Sequence, residues 1–265
     1  MATVREIYDY LDQKAPFRYQ ADFDNAGFLA GHGDSEVRRV LVALDVTPET
    51  IREAIEGGCQ LIVAHHPVIW GTIGRVTDET TTGKNLLALI ENGIAAICAH
   101  TNLDAVEGGV NTALAERLGL TDTVPLETEG ADENGVPYGV GRVGDLPGGP
   151  MPLSDFAGLL KTALSLEGVR VMDAGVPVSK VAVGGGACGS MLPLVKALGC
   201  DTFVTSDLKH DLYLEARAQG INLLDAGHYS TETVVCPVLV RWLAEEFPGL
   251  EVLPSRSQRE VFRYL

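Results

Sequence analysis

Short apolar runs alternate with amphipathic helical patterns along most of this 265-residue chain, and this alternation constrains its fold more than any other feature. The runs RRVLVALD (38–45), LIVAHH (61–66) and IAAICAH (94–100) have the length and composition of buried strands. Helical patterns separate them, as in PETIREAIEGG, where Thr47 can cap a helix that begins at Pro48. Short strand–helix connections are typical of a largely parallel sheet with right-handed crossovers. The sequence therefore predicts an α/β protein.

The alternation is interrupted once, in a segment rich in Gly, Pro and acidic residues that runs from 121 to 152. This segment holds one short predicted strand, near 138–143, and is the expected lobe boundary. We predict two α/β lobes with mixed, largely parallel sheets flanked by helices. They comprise residues 1–125 and 126–265.

Two details of the second half are also predicted. Ser154 is expected to cap the helix that continues to 164. The segment 231–247 is expected to form the longest helix, interrupted or bent near Pro237, before a final edge strand in LEVLPS.

Charge and composition exclude several classes of function. The net charge is −16 and the pI about 4.7, which argues against binding to nucleic acid or to anionic membranes. No window approaches the ~18–20 apolar residues of a membrane span, and the N-terminus lacks the apolar core of a signal peptide. Five scattered cysteines without a CxxC pattern are expected to be buried thiols in a reducing compartment. We therefore expect a cytoplasmic protein.

Three of the apolar strands end in histidine: LIVAHH, AICAH and LLDAGH. The first doubles its histidine, and each of the others is followed four residues later by a carboxylate. Ligands of open α/β sheets bind beyond the carboxyl ends of the strands. Imidazoles with carboxylates suit divalent Zn, Fe, Mn or Ni, and the pattern does not decide among them. The candidate metal ligands are His65, His66, Asp104, His228 and Glu232.

Five ligands exceed what one catalytic ion usually takes from a protein, which favours two ions with open positions for water. His100 precedes Asp104 by four residues and is open to three roles: a ligand, a residue that orients a carboxylate, or a proton shuttle. The last two roles are favoured, because the other five residues already account for two ions.

The motifs HHPVIW, HTNLDAVEGGVN and DAGHYSTE, in this order and spacing, resemble those of the Nif-three-like family. Members of that family are dinuclear metal proteins known as GTP cyclohydrolase type 2 homologues. The resemblance implies the same five ligands and places His100 at the family's histidine before TNLD. Further segments resemble the family: DNAGFLAG (24–31), ALDVTPETIREAI (43–55) and VAVGGGACGSML (181–192).

The resemblance also implies an assembly and a position for the metals. It implies two α/β lobes with the metal site in the cleft between them, and a toroidal homohexamer built as a trimer of dimers. Some relatives carry an inserted ferredoxin-like domain. The interval from Gly119 to Val181 is too short for one, so a compact form is expected.

The preferred function is a metal-dependent hydrolase of the GTP cyclohydrolase type 2 homologue type, acting on a small-molecule substrate through metal-activated water. Glu232 is expected to bridge the ions and His100 to move the proton. A nucleotide, another heterocycle and a phosphoester all suit such a site. The alternatives are a non-catalytic metal-binding scaffold, regulator or metal chaperone, and a protein in which the ions only clamp the lobes together.

Four weaker signals have both a structural and a functional interpretation. GGGACGSM is expected to be a tight strand–helix turn rather than an anion cradle. Asp24 and Asn25 are expected to hold a loop, and Trp70 to pack rather than to stack on a substrate. His210 is expected to lie at a solvated helix start rather than to face a cavity.

Overall fold

The computed structural model describes residues 2–263 and shows helices and strands in the predicted alternation. The α-helices are α1 (Val4–Lys14), α2 (Pro48–Glu56), α3 (Thr81–Glu91), α4 (Thr101–Ala105), α5 (Val110–Arg117), α6 (Leu153–Leu164), α7 (Leu192–Ala197), α8 (His210–Gln219), α9 (His228–Glu232) and α10 (Cys236–Glu246). The strands are β1 (Ala2–Thr3), β2 (Gly27–Ala30), β3 (Glu36–Val37), β4 (Arg39–Ala43), β5 (Leu61–Ala64), β6 (Ala95–Cys98), β7 (Thr121–Pro125), β8 (Gly130–Ala131), β9 (Pro137–Tyr138), β10 (Arg142–Asp145), β11 (Arg170–Met172), β12 (Lys180–Val183), β13 (Thr202–Thr205), β14 (Asn222–Asp225) and β15 (Glu251–Pro254). Short 3₁₀ turns cover Phe17–Tyr19, Gly189–Met191 and Thr233–Val235.

The chain forms two compact units, but they are not successive halves of the sequence. Unit 1 contains the chain through Leu103 together with Cys236–Arg259, and unit 2 contains Asp104–Val235 together with the chain from Glu260. The predicted boundary at residue 125 therefore falls inside unit 2. Asp104, which was assigned to the N-terminal lobe, is the first residue of unit 2. The physical reason is the pairing of β15 with β4, which returns the end of the chain to the first sheet.

Unit 1 is built on a five-stranded sheet of order β15-β4-β5-β6-β2. All neighbours in it are parallel except β2, which pairs antiparallel to β6. Every residue of β5 and β6 is buried, as expected for strands covered on both faces. The predicted largely parallel sheet and the predicted edge strand in LEVLPS are confirmed here. The carboxyl ends of β4, β5 and β6 consequently lie side by side.

Unit 2 is built on a six-stranded sheet of order β11-β14-β13-β12-β10-β7. Only β12, β13 and β14 are parallel neighbours, and the other three pairings are antiparallel. This sheet is mixed rather than largely parallel. The segment that interrupts the alternation accounts for two of these three pairings, because it contributes β7 and β10, and the third joins β11 to β14.

The helix predicted over 231–247 is interrupted just before Pro237, one of the two expected alternatives, because α9 and a 3₁₀ turn precede α10. It is not the longest helix, since α10 has 11 residues and α6 has 12. Pro237 is the second residue of α10, where its missing N–H would have had no helical acceptor, so it starts a helix instead of bending one. Ser154 does not cap α6, since Pro152 occupies the cap position and the Ser154 hydroxyl hydrogen bonds to Asp155.

Each unit has its own apolar core. The core of unit 1 centres on Leu41, Ile62 and Leu89, and that of unit 2 on Leu192 and Phe203. All five cysteines are free thiols that are buried or partly buried, as predicted. Among the helices of residues 2–263, none combines the length and the apolar composition that crossing a membrane requires.

Glu53 on α2 ties the segment after β15 to the N-terminal part of unit 1. Its carboxylate accepts hydrogen bonds from the Ser255 hydroxyl (2.6 Å), the Ser257 hydroxyl (2.7 Å) and the Arg256 backbone N–H (2.7 Å). Burial alone raises the pKa of Glu53, but the hydrogen bonds from Ser255, Arg256 and Ser257 outweigh it and lower the pKa below its usual value.

We expect Glu53→Gln to lower the free energy of unfolding by about 1–3 kcal/mol at neutral pH, because one carboxylate oxygen becomes an N–H₂ group that faces donors. The pKa of Glu53 is lower in the folded state, so its stabilisation is present above the unfolded pKa of about 4.3 and is lost as the pH falls through the folded pKa. Urea unfolding at several pH values measures this. The exposed Glu56, at the end of the same helix, is the matched control. Equal effects of Glu53→Gln and Glu56→Gln at neutral pH would contradict the prediction.

Candidate metal centre

His65 and His66 directly follow β5, and the backbone of the neighbouring strand end fixes both. The His66 N–H donates to the carbonyl of Leu44 at 2.9 Å, and the His65 N–H donates to the same carbonyl at 3.1 Å. The His65 side chain is fully buried, whereas that of His66 is 23% exposed. The proline after the pair ends the run, so both histidines lie directly beyond the carboxyl end of β5.

The ring orientation of both histidines is set by oxygen acceptors at Nδ1. His65 Nδ1 lies 2.8 Å from the Ala99 carbonyl oxygen, and His66 Nδ1 lies 2.7 Å from Asp45 Oδ1. A carbonyl oxygen can only accept, so the His65 proton is on Nδ1 and the lone pair is on Nε2. Asp45 imposes the same tautomer on His66 when that ring is neutral. Metal-binding histidines commonly have this arrangement, with Nδ1–H on an oxygen and Nε2 on the ion.

His100 follows β6 and is oriented by Asp24, a carboxylate whose side chain is fully buried. Asp24 Oδ1 lies 2.8 Å from His100 Nδ1 and accepts the Asn25 N–H at 2.7 Å, while Oδ2 accepts the N–H and the hydroxyl of Thr101. Burial raises the pKa of Asp24, but the hydrogen bonds from His100 and Thr101 outweigh it and lower the pKa to about 2. Asn25 donates to the Ile69 carbonyl. These two residues thus hold the loop, as predicted, and Asp24 also fixes His100.

The three rings of unit 1 converge. The ring centroid of His65 lies 4.9 Å from that of His66 and 5.1 Å from that of His100, and the centroids of His66 and His100 are 5.5 Å apart. One ligand atom from each residue can be chosen so that all three lie within 4.8 Å of one another. The structure therefore brings together two of the five predicted ligands and the histidine of undecided role.

His228 and Glu232 form the second group, in unit 2, on the short helix α9. His228 Nε2 lies 3.0 Å from Glu232 Oε2, and His228 Nδ1 lies 2.6 Å from Asp207 Oδ2. Glu232 is 3% exposed. Asp207 has a left-handed backbone with φ of +54°, a conformation that aspartate tolerates better than most residues. The i, i+4 spacing seen in the sequence thus places both side chains on one face of a helical turn.

The glycine-rich loop after β12 packs against this pair. Gly186 has φ of +65°, and a Cβ added there would lie 2.1 Å from Glu232 Oε1. Its N–H donates to the Thr231 hydroxyl at 3.0 Å, and its carbonyl accepts the Ser206 N–H at 3.0 Å. The Gly184 N–H donates to the Val204 carbonyl. These N–H groups already serve protein acceptors, so the loop is the predicted tight turn and its glycines make room for Glu232.

Asn111 connects this loop to Asp104. Its amide nitrogen donates to the Asp104 carbonyl at 3.0 Å, and its amide oxygen accepts the Gly185 N–H at 2.9 Å. Asn111 is fully buried. It therefore fixes the backbone of a predicted ligand, Asp104, in relation to the loop that contacts Glu232.

The donor sets fit divalent metal ions of the borderline class. In each of four histidines, Nδ1 lies within hydrogen-bond distance of an oxygen: His65, His66, His100 and His228. Glu232 Oε2 faces the Nε2 atom of His228. Neutral nitrogen and carboxylate oxygen ligands suit Zn, Fe, Mn and Ni. Burial raises the pKa of Cys98 to about 12, so this neighbouring thiol is protonated near neutral pH. The number and identity of the ions, and a shared cleft for both groups, stay predictions.

Three orienting residues were missed from the sequence: Asp45, Asp207 and Asn111. Each aspartate lies two residues beyond a strand and contacts the histidine at the end of the neighbouring parallel strand, 21 residues later in both cases. That shared spacing is the signal that could have identified both. Asn111 is part of the family-like motif HTNLDAVEGGVN but carried no chemical signal of its own.

Two side chains of undecided role are exposed. Trp70 is 59% exposed and its ring lies edge-on to that of His100, so it packs at the surface rather than in the core. His210 begins α8 and is exposed, as expected of a solvated helix start.

Comparison with known proteins identifies the family. The family described as Duf34/NIF3 (NGG1p interacting factor 3) matches residues 2–260. The chain belongs to this family. A NIF3 relationship also agrees with the motifs around His65, His100 and His228 that resembled the family in the sequence.

Named relatives and a solved structure cover nearly the whole chain. A GTP cyclohydrolase 1 type 2 homolog of Streptomyces coelicolor is 38% identical over 240 residues, covering 89% of this chain and 84% of the relative. A protein of the same name from Clostridium perfringens is 29% identical over 264 residues, covering 99% of each chain. The crystal structure of a Bacillus cereus protein related to NIF3 matches with a TM-score of 0.93 at 25% identity, covering 100% of this chain and 99% of that one. The hexameric assembly and the cytoplasmic location implied earlier stay predictions.

Proposed function

We propose that this protein binds two divalent metal ions and uses them to hydrolyse a small-molecule substrate. The name GTP cyclohydrolase 1 type 2 homolog, borne by its relatives, supports hydrolysis of a nucleotide or a related heterocycle. The ligands in this proposal are His65, His66, Asp104, His228 and Glu232.

The observation that carries the proposal is the common orientation of the imidazoles. His65, His66 and His228 each have Nδ1 within 2.8 Å of an oxygen acceptor on the protein. With Nδ1 as the donor to an oxygen, Nε2 becomes the ligand atom, which is the arrangement common among metal-binding histidines. His228 Nε2 faces Glu232 Oε2, the other predicted ligand of its group.

The ions, when bound, would supply Lewis acidity that lowers the pKa of water toward neutrality. The residues of the chain hold and orient the groups around that chemistry. Asp45 and Asp207 fix the rings of His66 and His228, and both increase the basicity of these rings through charge-assisted hydrogen bonds. Glu232 is nearly fully buried, so both of its oxygens are shielded from bulk water, which suits a bridging role.

Exposed aromatic side chains beside the histidines bear on the substrate. The Trp70 ring lies edge-on to His100, with centroids 5.4 Å apart, and the ring of Phe23 lies 6.5 Å from that of Trp70. Phe23 is 70% exposed. Aromatic faces stack on nucleobases with about 1–3 kcal/mol per base, so this pair supports a planar heterocycle over a plain phosphoester.

The test is a hydrolysis screen on the full chain reconstituted separately with Zn, Mn and Fe, using nucleotides, other heterocycles and phosphoesters. We expect turnover that depends on the metal, and a loss of at least about 100-fold in kcat for Glu232→Gln, as found when one group that stabilises a transition state is removed. His210→Ala, which changes an exposed histidine of unit 2, is the control and should keep full activity.

Two results would count against the hydrolase. If the Glu232→Gln variant keeps both its bound metal and its activity, the proposed catalytic role of this carboxylate is wrong. Two bound ions without turnover of any substrate class would instead support the non-catalytic scaffold, regulator or metal chaperone.

A further inference from the structure

We infer that Gln258, near the end of the chain, is a positioning residue that acts through Asp45 on the ring of His66. It lies in the segment after β15, outside every motif that resembles the family. The inference rests on the metal-binding part of the proposed function and is independent of turnover.

Both ends of the Gln258 amide bind the backbone just beyond β4. Its Oε1 atom accepts a hydrogen bond from the Leu44 N–H, and its Nε2 atom donates to the Asp45 carbonyl at 2.9 Å. A backbone N–H can only donate and a carbonyl can only accept, so these partners also fix which way the amide points. One side chain thus holds two successive residues from a sequence separation of 213 residues.

These two residues are the ones that hold His66. The Leu44 carbonyl accepts the His66 N–H at 2.9 Å, and Asp45 Oδ1 lies 2.7 Å from His66 Nδ1. The main chain and the ring of His66 therefore both depend on the segment that Gln258 fixes. Displacement of this segment would draw the carboxylate away from Nδ1 and allow the neutral ring to change its tautomer.

The Asp45 carboxylate depends on its backbone for its position, because its side chain is 41% exposed. The Thr50 hydroxyl also lies 3.1 Å from the Asp45 carbonyl oxygen, but it is 3.0 Å from the Thr47 carbonyl oxygen. A hydroxyl has one proton, so these two acceptors share it. Gln258 is the donor committed to the Asp45 carbonyl.

The segment that carries Gln258 is itself anchored in unit 1. The Ser255 N–H donates to the Val42 carbonyl at 2.8 Å, which continues the pairing of β15 with β4. The Glu53 carboxylate accepts hydrogen bonds from the hydroxyls of Ser255 and Ser257. A fixed backbone thus places Gln258 at the carboxyl end of β4, which lowers the entropy lost on ordering its side chain.

Gln60 is the matched control, because its side chain binds the backbone at the opposite end of β4. Its Oε1 atom accepts the N–H groups of Arg38 (2.9 Å) and Arg39 (3.1 Å), and its Nε2 atom donates to the Gly58 carbonyl at 2.6 Å. Both glutamines are half-buried. Gln60→Ala therefore removes a comparable set of hydrogen bonds without touching the segment that orients His66.

The first measurement uses long-range ¹H–¹⁵N spectra of the metal-free full chain, at a pH at which the imidazoles are neutral. Gln258→Ala should shift both ring ¹⁵N resonances of His66 toward the tautomer protonated on Nε2, and Gln60→Ala should leave them unchanged. Gln258→Glu is a second, milder variant. It keeps the acceptor for Leu44 but loses the donor to Asp45, and it should shift the His66 resonances in the same direction.

The second measurement is a Zn²⁺ titration of the full chain against a competing chelator. We expect Gln258→Ala to weaken binding about 10-fold, the lower end of the 10–100-fold lost with a residue that orients a ligand. In an Asp45→Asn background, the same substitution should cost less than about 3-fold, because its route to His66 is already interrupted. Gln60→Ala should leave the affinity unchanged.

The inference is overturned if Gln258→Ala and Gln258→Glu leave the His66 spectrum unchanged, or if Gln258→Ala lowers the affinity no more than Gln60→Ala. Equal losses with and without Asp45→Asn would overturn the route through Asp45. If the unsubstituted chain binds no Zn²⁺, the metal-binding proposal fails. The metal-free spectra then still decide whether Gln258 positions His66.

Discussion

Arg142→Met is expected to lower the free energy of unfolding by about 3–5 kcal/mol, because it leaves several buried carbonyl groups without their donor. The guanidinium of Arg142 is fully buried at the start of β10. It donates to the carbonyls of Gly139 (2.8 Å), Gly141 (2.7 Å) and Val106 (2.9 Å), and to the Thr112 hydroxyl (3.2 Å). Burial lowers the pKa of Arg142, but the group stays charged at neutral pH.

The effect reaches the candidate site through the backbone. Val106 lies two residues after Asp104, so the guanidinium fixes the chain directly beyond this predicted ligand. Urea unfolding of the full chain measures the change as a shift in the midpoint at constant slope.

Arg39→Met is the matched control, since Arg39 also begins a strand and is paired with a carboxylate. Its pair with Glu251 is 2.6 Å long, but the two side chains are 45% and 53% exposed, so the loss should stay within about 1 kcal/mol. Arg142→Lys keeps the charge without the planar fork and should fall between the two. A loss of 1 kcal/mol or less for Arg142→Met would show that water or nearby backbone groups replace its hydrogen bonds.

The histidine-bearing strand ends of unit 1 could be predicted because their signal is local. LIVAHH and AICAH combine a continuous apolar run with a polar residue at its end, and a parallel sheet places such ends at one edge. The observed bounds of β5 and β6 lie within these runs. The helices between them were predictable for the same reason, as with Thr47, whose side chain caps α2.

The division into units could not be predicted, because it depends on a pairing between distant segments. β15 joins β4 across more than two hundred residues, and no local pattern in LEVLPS names its partner. Arg142 was missed for a similar reason. An arginine in a polar, glycine-rich segment is normally exposed, and its burial here results from carbonyls supplied by 106 and 139–141.

The aspartates that orient the histidines were missed, although the sequence contained part of the information needed to find them. Asp45 and Asp207 are separated from their histidines by one strand–helix unit, and the parallel pairing of the strands brings them together. When the sequence predicts two neighbouring parallel strands, it also predicts that the residues directly after the two strands lie beside each other. Asp24 differs, because it reaches His100 from a loop 76 residues earlier and only the folded chain reveals the contact.

Gly186→Ala is expected to weaken binding of a divalent ion in unit 2 by about 10–100-fold while leaving the fold intact. An alanine Cβ would lie 2.1 Å from Glu232 Oε1 and 3.3 Å from His228 Cε1, so the carboxylate must move. The clashing atom is the end of a flexible side chain, so rotation of Glu232 relieves it at little cost. The backbone strain of alanine at φ of +65° adds roughly 1–2 kcal/mol.

The control variant Gly220→Ala introduces the same backbone strain as Gly186→Ala without displacing the Glu232 carboxylate. Gly220 has φ of +72°, close to that of Gly186, but a Cβ there meets nothing within 4 Å. Both variants should lose similar stability in urea, and only Gly186→Ala should lose metal in an equilibrium titration. Equal metal affinity in the two variants would mean that Glu232 does not need its observed position to bind the ion. If instead both variants lost affinity, backbone strain in unit 2 rather than the clash at Glu232 would be the cause.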